Sequence, residues 1–156
     1  MSNLITGMHH VTAMASAAQS NLDFYTGILG LRLVKKTVNF DATDVYHFYY
    51  GNEVGSPGTI LTFFPFPHML RGKKGQSQTV STSFSVPADA LEYWMKRLNR
   101  FEIPFSGPAL RFGETYISFE DWDGLGLELV TNAADSRKPF SYGFIPEEFA
   151  IRGVHH

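Results

Sequence analysis

The sequence contains no cysteine, so neither a disulfide bond nor a cysteine thiolate can contribute to its structure or its chemistry. Long apolar runs are also absent, because no stretch approaches the roughly 18 consecutive apolar residues that suggest a membrane-spanning helix. Residues 1–7 lack a charged region followed by an apolar run, so they do not resemble a signal peptide. These absences predict a soluble protein, and a cytoplasmic location is compatible with all of them.

The sequence has no large excess of either charge, since it contains 13 Lys and Arg residues and 15 Asp and Glu residues, for a net charge of −2. The short basic cluster of Arg71, Lys73 and Lys74 indicates a solvated loop rather than a nucleic-acid patch. Aromatic residues are plentiful instead, with 14 Phe and 7 Tyr. They suit β-strands and an apolar pocket, although an ordinary aromatic core would explain them equally.

The first half of the chain follows the order β-α-β-β-β. Polar and apolar residues alternate over residues 7–15 as in a half-buried strand. A helical pattern follows, with Ser20 as the expected N-cap and Gly30 as the expected end. Three further strands are predicted at residues 32–39, 46–50 and 59–64.

The second half repeats this order. Residues 79–86 form a strand pattern, and Asp89 is the expected cap of a helix that contains Leu91, Trp94 and Leu98 at helical spacing. Short strands are then predicted at residues 111–112, 115–119 and 125–130. Because one βαβββ module cannot bury both faces of its sheet, two modules at about 7–65 and about 79–131 predict an α+β fold, a half-open mixed β-barrel with helices outside.

A second repeat connects the two ends of the chain. Residues 5–10 read I-T-G-M-H-H, and residues 151–156 read I-R-G-V-H-H. We interpret residues 5–131 as one domain, residues 132–150 as a linker, and residues 151–156 as the start of a second, truncated domain. A chance match, or two histidines left from a purification tag, is the alternative.

His9, His10 and Glu128 are the candidate functional residues. Neighbours on a strand point to opposite faces, so only one of the two histidines is expected to face the cleft. Glu128 faces the cleft if its neighbours Leu127 and Leu129 pack under the helices, and a carboxylate there needs a metal, a cation or a proton. From the residues alone, a structural role for the histidines and a solvent-facing Glu128 stay open. His47 and His68 are interpreted as structural or surface residues.

Four segments resemble the vicinal oxygen chelate (glyoxalase/bleomycin resistance/dioxygenase) superfamily, and two more resemble its hydroquinone-type ring-cleaving dioxygenases. The first four are residues 7–12, 21–25, 27–31 and 121–129; the other two are residues 31–40 and 55–65. The resemblance implies a glyoxalase-like fold and an iron(II) site with two His ligands and one carboxylate. His10 matches one ligand, and His9 matches a residue beside the metal that helps proton transfer.

The same resemblance indicates which ligands this chain can supply. Aligning the two modules puts the ligand positions of the superfamily at His10, Thr62, Ser81 and Glu128, of which only His10 and Glu128 carry competent ligands. The remaining ligands of ring-cleaving relatives come from a fourth module. We therefore expect the N-terminal half of an extradiol-type dioxygenase that acts on a hydroquinone or catechol with O2, using Fe(II) or another divalent metal. It is expected to form a homodimer or to pair with a second half.

Two other functions stay open. A glyoxalase-like lyase or isomerase, or a thiol transferase, could complete its metal site across a homodimer, although Ser81 in place of a histidine argues against the four-ligand pattern. A non-catalytic protein could instead bind a small aromatic compound between aromatic walls and would need no metal. The fold alone does not separate these functions, and whether the chain is active by itself stays open too.

Overall fold

The computed structural model describes residue 5 and residues 7–141 and 144–155. Its helices are α1 (Ala18–Leu22), which continues into a π-helical segment (Asp23–Ile28), and α2 (Leu91–Arg100). Its strands are β1 (His10–Ala15), β2 (Arg32–Val38), β3 (Tyr46–Gly51), β4 (Ile60–Pro65), β5 (Thr82–Val86), β6 (Phe105–Arg111), β7 (Glu114–Glu120), β8 (Gly126–Thr131) and β9 (Gly153–Val154). The element order confirms the predicted α+β class with two βαβββ modules.

The two modules have the same strand pairing. The first sheet has the order β1-β4-β3-β2, and the second has the order β6-β7-β8-β5-β9. In each module the first strand lies parallel to the last, with Val11 opposite Leu61 and Thr82 opposite Leu127. These are equivalent positions in the alignment of the modules, so the register confirms the duplication. Among the described residues the two sheets are not joined by strand pairing, and no closed barrel forms.

One face of each sheet packs against the helices and forms the core. Val11, Ala13 and Ala15 point toward this core, while the residues between them are exposed. Large side chains from β4 and β8, including Phe63 and Leu129, are fully buried. Burial of each such side chain contributes roughly 1.5–3 kcal/mol. A slip of one residue would turn the apolar side chains outward, so the core fixes the register.

Hydrogen bonds connect module one to module two. Arg97 on α2 donates to the C=O groups of Gly27 and Ile28, at 2.7 Å each, where the π-helical segment ends. The hydroxyl group of Tyr25 donates to Asp121 in the turn between β7 and β8, at 2.8 Å. Ser16, just after β1, donates to Asp123 in the same turn. The end of the first helix and the end of β1 are therefore held by module two.

Three local predictions are wrong. The first helix begins at Ala18 and the second at Leu91, and neither begins with a side-chain cap, so Ser20 and Asp89 are not caps. Packing of an apolar face, rather than capping, sets these helix starts. The strand predicted at 111–112 is the end of the longer β6, which Gly107 and Pro108 obscure because both residues are rare inside strands. A register shift between Ser106 and Ala109 accommodates them.

Residues 132–150, the predicted linker, lie against the modules. Their described part forms turns without a helix or strand, and Ile145 and Ala150 belong to the core. The chain then enters β9, which pairs antiparallel with β5. The domain boundaries stay predictions, and His156 lies outside the described residues. No helix in the described part of the chain has the length and apolar character needed to cross a membrane.

Candidate functional site

The candidate site lies on the face of the first sheet that points away from the helices, which we call the open face. His10 and Thr12 are exposed on it, because Val11 and Ala13 between them face the core. Nδ1 of His10 lies 3.0 Å from Nδ1 of His9, and the two rings meet edge to face. The expectation that only one of the two histidines faces the cleft stays a prediction, because β1 begins only at His10 and His9 precedes the regular alternation.

An aromatic cluster occupies the β3 and β4 side of the same open face. The His47 ring stacks on Phe64 with centroids 3.9 Å apart, and Nδ1 of His47 is hydrogen-bonded to the Tyr49 hydroxyl group at 2.9 Å. Burial lowers the pKa of His47, and electrostatic interactions with Lys35 and His10 lower it further. This imidazole is therefore neutral at neutral pH.

The sequence predicts a structural or surface role for His47 and gives no connection between it and His10. The signal was present in the alternation along β3. Phe48 and Tyr50 are buried in the core, so His47 and Tyr49 must point to the opposite face. In the register between β3 and β4, Tyr49 lies opposite Thr62, and Thr62 lies opposite Thr12 of β1. The side chains of His47 and Tyr49 therefore share the open face with those of β1.

Glu128 lies on the open face of the second sheet. Leu127 and Leu129 are fully buried under the helices, as the cleft-facing alternative required, and Glu128 itself is only 6% exposed. Arg111 donates to both carboxylate oxygens, from Nη1 to Oε1 at 3.1 Å and from Nη2 to Oε2 at 2.5 Å. Ser83 donates to Oε2 at 2.5 Å as well. The cation that this buried carboxylate needs is therefore present in the chain.

His155 adds a further ionisable group to the second open face. Its Nε2 lies 2.8 Å from a carboxylate oxygen of Glu114, and its backbone N–H donates to the C=O of Ser83. The sequence shows His155 only as part of the terminal I-R-G-V-H-H repeat, whereas the structure puts it beside β5, the strand next to that of Glu128. Since Val154 is buried in the core, alternation turns the side chain of His155 to the second open face.

The structure brings His9 and His10 together and puts Glu128 on the other sheet. Within the described residues, no group of three His, Cys, Asp or Glu side chains converges to hold a metal ion. His10 therefore fits as one ligand of a site that needs further donors, and the donor set does not amount to a facial triad. Two grooves lie nearby: Glu128 lines one of about 690 Å³, and residues 11–16 of β1 line one of about 870 Å³.

Comparison with known proteins gives one family and several relatives. The profile of the Glyoxalase/Bleomycin resistance protein/Dioxygenase superfamily matches residues 7–129. MhqO of Bacillus subtilis, named as a ring-cleaving dioxygenase, is 45% identical over 153 residues, which are 98% of this chain and 49% of MhqO. The chlorohydroquinone/hydroquinone 1,2-dioxygenase of Sphingobium indicum is 39% identical over 155 residues, covering 97% of this chain and 48% of that enzyme.

A solved structure agrees with these relatives. The crystal structure of a Bacillus subtilis protein described as a dioxygenase superposes with a TM-score of 0.90 at 46% identity. The match covers 95% of this chain and 47% of that protein. The glyoxalase-like fold that the sequence predicts is thereby confirmed. The chain spans about half the length of the curated relatives it matches.

Proposed function

The chain belongs to the glyoxalase/bleomycin resistance protein/dioxygenase superfamily, and on that premise we propose that it is the N-terminal half of a ring-cleaving dioxygenase that acts on a hydroquinone or catechol. The observation that carries this proposal is the exposed His10 imidazole on the open face of the first sheet, beside His9 and the cluster of His47, Tyr49 and Phe64. A flat aromatic substrate finds ring surfaces there and, in His10, a ligand for a metal.

We assign His10 as an iron(II) ligand. Its Nδ1 contacts His9, so its Nε2 is the nitrogen left for a metal. A divalent metal with open positions supplies a common site for a bidentate aromatic diol and O2. His9 is proposed to hold or pass a proton at its contact with His10, since imidazole changes its protonation near neutral pH. A partner bonded to the second nitrogen of a ligating histidine also fixes the orientation of its ring.

Glu128 has a weaker claim to a ligand role. Its carboxylate accepts two bonds from Arg111 and one from Ser83, so a metal would have to displace the Arg111 guanidinium. A buried, paired carboxylate is stable without a metal, whereas separating the pair leaves charge uncompensated. Glu128 as a ligand therefore stays a prediction that requires Arg111 to move, and His10 is the ligand on which the proposed function depends.

The edge of β1 is the proposed attachment point for the missing ligands. The C=O groups of Ser83 and Ser85 on β5 accept bonds from the N–H groups of His155 and Arg152, which is how β9 is held. The alignment of the modules puts Thr12 and Met14 of β1 at these positions, and β1 is an edge strand of its described sheet. We propose that an antiparallel strand from a second copy or a second half pairs here, in the groove along residues 11–16.

Metal binding by variants of this chain tests the proposed function. His10→Ala should lower the affinity for Fe(II), or for Co(II) as a spectroscopic substitute, at least tenfold, because the exposed imidazole is lost. His68→Ala, which removes an exposed histidine from the connector between the modules, is the matched control and should bind like the unmodified chain. Equal metal affinity in the His10 variant would rule out its ligand role. Oxygen uptake with hydroquinone, measured on the metal-loaded protein, then tests the reaction.

A non-catalytic aromatic-binding protein is the second candidate, and the stacked His47 and Phe64 rings favour it. Such a protein would bind hydroquinone equally well after metal removal and would consume no O2. A dioxygenase half instead requires the metal for tight substrate binding. Calorimetric titration of hydroquinone into metal-free and metal-loaded protein separates the two functions.

A further inference from the structure

We propose that Arg137 is a positioning residue that sets the orientation of the His9–His10 pair through the backbone of Gly58. This inference rests on the proposed function, in which His10 binds a metal and His9 assists it. It concerns a residue in the segment 132–150, for which the sequence predicts only a linker.

The Gly58 peptide groups connect three parts of the chain. The N–H of Gly58 donates to the C=O of His9 at 2.8 Å. The C=O of Gly58 accepts from Nη1 of Arg137 at 2.7 Å and from the N–H of Val154 at 2.8 Å. One glycine therefore joins the residue before β1, the segment 132–150 and strand β9.

Arg137 is itself held in a fixed position. Its Nε donates to both oxygens of Asp135, at 2.9 and 3.1 Å, and Nη2 donates to Oδ2 at 2.5 Å. Burial alone would raise the pKa of Asp135, but the hydrogen bonds from Arg137 lower it to about 2. The pair is thus charged across the physiological range. With Nε and Nη2 committed to Asp135, Nη1 is the part of the guanidinium directed at Gly58.

The close approach depends on glycine at two positions. Gly58 has φ +81°, and a Cβ there would lie 3.3 Å from Nη1 of Arg137 and 3.4 Å from the C=O oxygen of Met8. A Cβ on Gly153 would collide with the guanidinium and lie 2.8 Å from the C=O oxygen of Gly58. The positive φ of Gly58 favours glycine, and at residue 153 only a residue without a side chain lets the guanidinium and β9 reach the same carbonyl. This accounts for Gly58 and for the glycine of the I-R-G-V-H-H sequence.

The position of His9 depends on the hydrogen bond from the Gly58 N–H more than on the pairing of β1 with β4. β1 begins at His10, whose partner on β4 is Ile60, so the bond from Gly58 holds the residue that precedes the ladder. The exposed rings of His9 and His10 in turn contact each other. Loosening Gly58 should therefore change how the His9 ring meets the His10 ring, while β1 and the core stay intact.

The test compares Arg137→Met with Arg152→Met in the metal-free chain. Arg152 also donates to backbone carbonyls, those of Arg137 and Glu147, but not to Gly58, so it is the matched control. NMR should show amide exchange of Gly58 at least tenfold faster in the Arg137 variant, with shifted Hε1 signals of His9 and His10. Arg137→Lys, which keeps the charge, should show smaller changes than Arg137→Met in both the Gly58 exchange rate and the histidine signals. Arg152→Met should leave both at their original values.

Unchanged Gly58 exchange and unchanged histidine signals in Arg137→Met would overturn the inference, as would equal changes in Arg152→Met. Asp135→Asn keeps the arginine but loosens it, so it must give an intermediate effect even if Arg137→Met fails to fold; no effect would also overturn the inference. Co(II) affinity, measured afterwards, should fall about tenfold in Arg137→Met. If the unmodified chain binds no metal while the NMR effects occur, His10 ligation fails and the positioning of the histidine pair stands.

Discussion

At the scale of single residues, alternation along a strand predicts which face a side chain occupies but not what it meets there. The burial of Leu127 and Leu129 puts Glu128 on the open face, which is one of the two orientations that their spacing left open. The pairing of Glu128 with Arg111 could not be predicted, because Arg111 lies 17 residues away on β6. Gly107 and Pro108 within that strand interrupt the sequence pattern by which a strand is recognised. The contact between His9 and His10 was equally hidden, since it depends on where β1 begins.

Removing Arg111 tests whether the ion pair is structural. Arg111→Met removes the guanidinium charge and two hydrogen bonds from the buried carboxylate of Glu128, and urea unfolding should show a loss of about 2–3 kcal/mol. The loss stays below that of a fully buried pair because the Arg111 side chain is 35% exposed. Adding Glu128→Gln should recover much of the stability, since the buried charge that Arg111 stabilised is then gone. Arg100→Met, on the exposed face of α2, is the control, and equal stability of the two arginine variants would contradict the expectation.

At the scale of elements, both module patterns were predictable because each rests on local periodicity. The strands of module one lie within three residues of their predicted ends, and α2 follows the spacing of Leu91, Trp94 and Leu98. The π-helical segment Asp23–Ile28 was not predictable, since its geometry follows from contacts with module two. Arg97 holds its last carbonyls, and Asp121 holds the Tyr25 hydroxyl group.

The contact between Tyr25 and Asp121 predicts a pH dependence. Burial raises the pKa of Asp121, and bonds from Leu125 and Tyr25 offset this only in part. The folded state therefore binds this proton more tightly than the unfolded state, whose Asp pKa is about 3.9. The contribution of protonated Asp121 to the free energy of unfolding is complete below the unfolded-state pKa. It is lost as the pH rises through the pKa of Asp121 in the folded state.

Asp121→Asn removes this titration and keeps an oxygen for the N–H groups of Asp123 and Leu125. The free energy of unfolding of the unmodified chain should fall relative to this variant as the pH rises from about 3 toward neutrality. Asp89→Asn, at an exposed position, should keep the slope of the unmodified chain. Urea titrations at several pH values check this, and an unchanged slope in Asp121→Asn would contradict it.

At the scale of the whole molecule, the duplication was predictable from the sequence, but the relation between the sheets was not. Pairing between modules joins segments far apart in the chain, and local periodicity carries no information about it. The structure shows one long-range pairing beyond the modules, in which β9 borders β5, and the equivalent edge of β1 has no bordering strand among the described residues. The two modules therefore have the same strand register, but β5 is bordered by a further strand and β1 is not, among the described residues.

This difference predicts that the isolated chain associates through β1. The C=O of Ala15 accepts from Phe66 next to β4, so alternation turns the N–H groups of Thr12 and Met14 outward. In two copies, these outward groups can form an antiparallel pair that removes both edges. Met14→Pro deletes one outward N–H group without touching the bonds to β4, whereas Met14→Ala keeps it and is the matched control.

Light scattering over a range of concentrations should show dimers for the unmodified chain and for Met14→Ala, and monomers for Met14→Pro. The melting temperature measured on dilute monomers should be similar in all three, because the outward N–H group takes no part in the ladder with β4. A monomeric unmodified chain at high concentration would contradict self-association. Dimers of Met14→Pro would place the contact elsewhere on the molecule, because an edge without that N–H group loses a bond in each half of a symmetric antiparallel pair.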